Sequence, residues 1–487
     1  MDRRTFIQAA GATGAGLTSP LGLTDTDRPV AALLTLLEGS AREHLPRELV
    51  RRIRAGLRYE ELFAALCWAA VRNVQPYPDV GYKYHSVMVL RSINATTQHL
   101  SARERWLPIV WAADYFKSAQ AQERASSAWR LPARRATSAG GAQAARSRLI
   151  AALDNWDRDA ADAAIVDYAA VAATDEIFSL LFAYGARDLR EIGHKAIAVA
   201  NAHSVLALLS GSQSEAVLRS TVAALQNSDA GPNPASHDLE SDRPWRQNRQ
   251  RLGEIPESWA QGRNDPAARV ELRSELYRVS EEEAGTAIIA MLRQGIAPDA
   301  IWQVLFDTAA EILMAQPGIV SVHAQTSANA LHYAYRLCGN EQTQQLLLLQ
   351  CAAYIALFRR YTGASASEFN LEALQPLPLH RPGADAIDEL YADVLAGRRT
   401  QAASKALGYL QRDGDPEALI ARARHNFVYQ ADEPHDYKFP EAVFENYTQL
   451  SDGAWRRRFL SAGMAHFKPP AQHPGPLVQE TLELLQA

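Results

Sequence analysis

Apolar residues recur at three-to-four spacing in stretch after stretch of this chain, and no other feature constrains its fold as strongly. The pattern runs through residues 59–74, 103–117, 160–173, 192–209, 298–314, 341–361 and 416–430, among others. A helix turns about 100° per residue, so such spacing gathers one apolar stripe that has to be buried against a neighbour. Valine-rich alternating runs bounded by Asn-Gly turns are nearly absent, which leaves little material for strands. Start signals agree: Ser280-Glu281-Glu282-Glu283 has the serine-to-glutamate spacing of a capping box. The sequence therefore predicts an all-α fold.

With 487 residues, 47% of them hydrophobic and 22% charged, the chain has the composition of a soluble globular protein with a large core. Length alone allows two or three domains. Two polar stretches, 118–143 and 227–265, read as long surface excursions of the kind that form lids or remain irregular. Histidine-bearing segments flank the second stretch, so it is not a boundary, and residues 28–487 are expected to form a single large multi-helix domain. A net charge of −5, without basic patches interleaved with aromatics, argues against a nucleic-acid partner. Three cysteines, Cys67, Cys338 and Cys351, make neither a disulfide framework nor a paired zinc motif. Residues 1–27, opening Asp2-Arg3-Arg4-Thr5-Phe6 and continuing as a weakly apolar, glycine-rich run, resemble a twin-arginine export signal. Export machinery is thus an expected partner and the periplasm or cell exterior the expected location. No later apolar run reaches the ~20 residues that span a bilayer.

Histidines occupy several of the apolar segments: Tyr84-His85-Ser86, Gly193-His194-Lys195, Val322-His323-Ala324 and Pro434-His435-Asp436. Imidazoles gathered in a helical core hold metals or move protons. His194 and His203 are nine apart, as are His323 and His332, so within each pair the rings point to roughly opposite faces of a helix. His85 and His99 share a face, but roughly 21 Å of helix separates them. The spacing predicts one ligand per segment, with several helices converging on a metal site between them. His435 and Lys438, three apart, are neighbours on one face. Of 50 basic residues only six are lysines. Where arginine fills nearly every cationic role, a retained lysine suggests chemistry that guanidinium cannot perform. No glycine-rich dinucleotide or phosphate loop is present, and no Gly-x-Ser-x-Gly elbow.

The stretch from His323 through Thr326 to Ala330-Leu331-His332, and the segment His435-Asp436-Tyr437-Lys438 followed by Glu441, Ala442 and Tyr447, resemble the questin oxidase-like family. Lys83-Tyr84-His85-Ser86 and Ile192-Gly193-His194-Lys195 sit where that family has its other two histidine segments. The resemblance implies an oxidoreductase, a mononuclear non-haem iron oxygenase that opens or oxygenates an aromatic polyketide ring of the anthraquinone type. It implies Fe(II), with dioxygen as co-substrate, held by His85, His194, His323 and His435, with Lys438 carboxylated as an anionic ligand and itself catalytic. Imidazole also suits zinc and copper. Asn329 stands where relatives often carry another histidine.

His332 is a catalytic candidate, expected beside the centre where it would orient a ligand or substrate, with a core role as the alternative. His99 and His203 read as core residues, His425 is left open, and His44, His237, His380, His466 and His473 are expected at the surface. Asn94 and Asn201 are candidates for fixing ring tautomers. Trp68, Trp106, Trp111, Tyr115 and Phe116 read as core, with a pocket wall as the alternative. Two further readings stand beside the oxygenase: a zinc-dependent hydrolase on the same scaffold, and a non-catalytic helical binding protein whose histidines satisfy separate places in a core.

Overall fold

In the computed structural model, residues 28–486 are described, apart from 77–82, 135–139, 227–232, 235–236, 382–383, 413 and 452. The expected export segment lies outside the described residues. The chain is all-α. Among those residues no strand forms, and the only extended pairing is an isolated bridge between Arg263 and Ile296. The helices that build and support the site are, in chain order, α1 (Tyr59–Asn73), α2 (His85–Met88), α3 (Leu90–Thr97), α4 (Trp106–Ser126), α5 (His194–Leu206), α6 (Arg243–Arg251), α7 (Pro298–Ala315), α8 (Ile319–Leu337), α9 (Glu341–Thr362), α10 (Pro416–Gln430) and α11 (His435–Gln449).

The centre of the molecule is the helical hairpin α8–α9. From Leu346 to Phe358 every side chain of α9 is buried, because apart from Gln350, whose amide is hydrogen-bonded inside, that stretch is apolar or aromatic round the helix. α7, apolar nearly all round, covers both members of the hairpin. α5 and α11 pack on α8, and α2 packs on α5, so the four histidine-bearing helices α2, α5, α8 and α11 meet, with α3 packed on α5 and α11 beside them. One apolar cluster runs from Val30 to Val478. A second, smaller cluster of Tyr84, Met88, Ile197, Ala198, Ala200, Ala224 and Ala330 ties α2 to α5 and α8 beside the site.

The two expected excursions are partly helical. α4 continues through Ser126, well into the 118–143 stretch, with Gln120 and Glu123 buried. Its polar residues are inside because they are satisfied there. Lys117 Nζ donates to Leu37 O (2.9 Å) and Gln120 Oε1 (2.6 Å), and Lys83 pairs with Glu123 at 2.9 Å. The 227–265 stretch contains α6, anchored by buried Trp245 and Asn248, and the Asn248 amide donates to Gln350 Oε1 of α9 at 2.8 Å. Composition marks both stretches as polar, but the buried polar partners that draw them inward are remote in sequence. Among the described residues no helix is long and apolar enough to cross a membrane.

Candidate metal centre

Four helices deliver one imidazole each. His85, His194 and His435 are the first residues of α2, α5 and α11, while His323 lies in the second turn of α8. Three of the four therefore sit at helix starts rather than in the middle of apolar faces. α5 begins at His194, not at Ile192, because Glu191, Ile192 and Gly193 have φ of 53°, 48° and 84° and cannot belong to a right-handed helix. Neighbouring rings lie 4.5–5.0 Å apart between centroids. One ring nitrogen from each histidine falls within 4.8 Å of the other three. The four rings are thus gathered into one cluster rather than scattered through the core.

The outer nitrogens determine what the inner ones can do. His194 Nδ1 is 2.6 Å from Glu191 O and His323 Nδ1 is 2.8 Å from Ile319 O. A carbonyl oxygen only accepts, so each Nδ1 carries the proton and each neutral ring presents a bare Nε2. His435 Nδ1 donates likewise to the Glu433 carboxylate at 2.6 Å, and His435 Nε2 is buried with no partner. Burial pushes the His194 imidazole down to about 3, with the nearby Lys438 charge adding to the effect. Burial also holds His85 and His323 well below the usual histidine range and lowers His435. All four are neutral at pH 7.

Yet the Nε2 atoms of His194 and His323 are only 2.9 Å apart, and those of His194 and His85 are 3.4 Å apart. Two bare acceptors at 2.9 Å repel unless a cation lies between them. Nitrogens bound to one ion through bonds of ~2.1 Å are separated by about 3.0 Å at a right angle and about 3.4 Å at the tetrahedral angle. The cluster has the spacing, the protonation state and the outer hydrogen bonds of a metal site.

Beside the cluster lies a cavity of about 420 Å³, whose wall includes Lys438 but none of the four histidines. Lys438, Glu441, Glu445 and Thr448 line it from one face of α11. The two glutamates are already matched: Glu441 by Arg424 in a two-pronged pair, Glu445 by Arg91 and Asn329. Tyr333, Phe444, Ile197 and Ile420 supply apolar wall, with Arg91 over the Tyr333 ring and Arg424 over the Phe444 ring. Five of the six lysines make hydrogen bonds or ion pairs. Lys438 Nζ is buried without a hydrogen-bond partner, as is Oγ1 of Thr326, another residue of the cavity wall. Burial pushes the Lys438 amine down to about 7, against the opposing charge of Glu433.

Other sequence expectations fall elsewhere. His332 is not at the centre. It lies among Trp302, Phe306 and Tyr335, since nine residues of α8 separate it from His323 by roughly 13 Å of helix. His203 is a core residue, bonded to Tyr333 Oη at 2.9 Å and packed on Phe178 and Phe182. His99 is exposed at the cavity rim, and His425 stacks on Tyr429. His466, expected at the surface, is only partly exposed, packed on Phe439 with Nε2 3.2 Å from Met314 Sδ. His44, His237, His380 and His473 are exposed. The Asn201 amide donates to Met88 O, and Asn94 accepts from Gln98. The tautomers of His194, His323 and His435 are set by Glu191 O, Ile319 O and Glu433 instead. Backbone carbonyls leave no trace in sequence, but Glu433, two residues before His435, could have been suspected. Trp68, Trp111 and Phe116 are buried, and none of the five aromatics expected in the core lines the cavity.

The fold and site together define an all-α protein with a buried four-histidine cluster able to bind a metal ion. No family model, curated protein or solved structure matches the chain.

Proposed function

We propose that this protein is an exported mononuclear non-haem iron oxygenase acting on an aromatic, polyketide-like substrate. The observation that carries the metal centre is the meeting of bare Nε2 atoms from His194 and His323 at 2.9 Å in a pocket where neither ring is charged. The donor set fits a borderline metal, since neutral imidazoles suit iron, zinc and copper. Bound Fe(II) would supply the dioxygen chemistry that oxygenation of an aromatic ring requires.

The chain's own residues do the rest. Glu433 and the carbonyls of Glu191 and Ile319 hold three rings with Nε2 inward. Tyr333, Phe444, Ile197 and Ile420 offer apolar surface to a flat substrate, and Thr326 Oγ1 offers a hydroxyl to one of its oxygens. Lys438, its amine lowered toward neutrality, would add carbon dioxide at Nζ, release one proton and become a carboxylate analogue. Its position one turn beyond His435 then brings an anionic oxygen to a set of four neutral nitrogens.

Among the described residues the grouped ligand atoms are imidazole nitrogens, which with a carboxylate analogue suit zinc as well, so a zinc-dependent hydrolase is the alternative. Metal analysis of untagged protein, followed by anaerobic Fe(II) loading and oxygen uptake with a hydroxyanthraquinone, separates the readings. Stoichiometric iron with substrate-dependent uptake is expected. Zinc retention with no oxygen uptake transfers the protein to the hydrolases, and less than about a tenth of an equivalent of any metal after loading ends the metal reading. Replacing Arg3-Arg4 by two lysines is expected to keep the protein in the cytoplasm, as cell fractionation would show. Unchanged export would remove the twin-arginine assignment.

A further inference from the structure

Just before His194 the backbone runs left-handed for three residues, with φ of 53° at Glu191, 48° at Ile192 and 84° at Gly193. Glycine adopts this conformation freely, but a β-branched isoleucine does so rarely, and such a run persists only where its surroundings over-determine it. Here the surroundings are specific. Arg190, immediately before the turn, makes a two-pronged, fully buried pair with Asp242. Lys195, immediately after His194, reaches back to Asp188 at 2.8 Å, also fully buried. Two buried ion pairs thus hold the two ends of the turn.

α8 presses on the turn itself, and α9 on the backbone two residues before Arg190. Ser327 Oγ of α8 donates to Ile192 O at 3.3 Å, and Tyr354 Oη of α9 donates to Asp188 O at 2.9 Å. A Cβ at position 193 would run into Ser327 Oγ and would stand 2.9 Å from the Tyr354 ring, so only glycine lets these two side chains close on the backbone. Ser327 lies four residues beyond His323 and shares its face of α8. The helix that carries one ligand therefore clamps the peptide that carries the next. The turn also places Glu191 O where it receives the His194 Nδ1 proton at 2.6 Å.

We infer that the left-handed turn Glu191–Gly193, clamped by Ser327 and Tyr354, is the device that aims His194 Nε2 at His323, making Ser327 and Tyr354 positioning residues of the centre. The inference rests on the reading of the four histidines as a metal site, and it goes beyond that reading by assigning the preorganisation to groups that touch no metal. Strain in the turn is held by the fold, so the imidazole is in place before any ion arrives.

The test combines Tyr354→Phe with Ser327→Ala, changes that delete two hydroxyls and add no bulk. Tyr59→Phe, which loses a comparable buried hydrogen bond to Thr97 away from the centre, is the control. Cobalt(II) is the probe, because its visible ligand-field spectrum reports both affinity and geometry. The double variant is expected to bind cobalt(II) at least tenfold more weakly than wild type, with a shifted spectrum, while melting no lower than Tyr59→Phe, which keeps wild-type affinity. Wild-type affinity and spectrum in the double variant overturn the inference. A wild-type protein that binds no cobalt(II), iron(II) or zinc overturns the metal site itself. The turn is then judged in metal-free protein by nitrogen-15 NMR of the His194 ring: a proton held on Nδ1 in wild type and averaged between the two nitrogens in the double variant supports it, and identical ring signals reject it.

Discussion

His435 and Lys438 stand one helical turn apart on α11 in different surroundings. His435 is held by Glu433 with Nε2 turned inward, and Lys438 brings a buried amine without a hydrogen-bond partner to the wall of the large cavity. If Lys438 carries the anionic oxygen, Lys438→Ala should lose metal and activity together. Lys438→Glu should recover some metal with little turnover, because its carboxylate is shorter, and Lys438→Arg should fail, since guanidinium stays cationic. Iron content and oxygen uptake report all three, and a Lys438→Arg variant with normal iron and normal rate removes the carboxylated lysine from the site. The buried rings also predict an acid sensitivity. In unfolded chain the histidines titrate near 6.5, whereas in the fold His194 is pushed down to about 3. Above pH ~6.5 both states are neutral and the full stability is present. As the pH falls below that, the unfolded state takes up protons first, so metal-free protein should lose up to about 1.4 kcal/mol per pH unit for each such histidine, down toward pH 3 for His194. Urea melts of metal-free protein at pH 8, 6 and 5 measure this, and a midpoint that does not move between 6 and 5 contradicts it.

At the scale of elements, periodicity was legible wherever a helix has one wet face or none. The long runs in α7, α9 and α10 are visible from their apolar spacing alone. α6 is different: Arg243–Arg251 is almost wholly polar and carries no apolar stripe to read. It docks through Asn248, whose amide donates to Gln350 Oε1, while the Gln350 amide donates in turn to Ala186 O at 2.6 Å. Asn248→Ala should therefore destabilise the protein by about 1–3 kcal/mol through the unsatisfied buried amide, and should leave metal content unchanged because α6 supplies no ligand. Denaturant midpoints together with metal analysis check both halves. A stable variant would mean that α6 is held by Trp245 and by the bonds of Gln247 and Arg251 to Glu282. The start of α5 was likewise hidden, since a left-handed Ile192 has no sequence signature and the clamp that enforces it comes from Ser327 and Tyr354 far along the chain.

For the whole molecule, the four candidate ligands are spread from position 85 to position 435, so an ion bound there ties together most of the chain. A ligand that binds only the folded state stabilises it by about 2.7 kcal/mol at a hundredfold excess over Kd. Calorimetry should accordingly show a higher melting temperature with iron(II) or zinc than after chelation, rising with metal concentration. Equal melting temperatures would place the ion, if any, outside the cluster. The sequence by itself determined the helical class and the four segments that bear the candidate ligands, because apolar period and residue spacing are local properties of a helix. Tertiary structure alone decided that His332 is excluded from the centre, that Glu433 and two backbone carbonyls fix the tautomers, and that a serine and a tyrosine from α8 and α9 aim His194. Each of these depends on which groups meet across the fold, where a shift of one helical turn moves a side chain by about 5 Å, farther than the spacing between the ring nitrogens it would have to join.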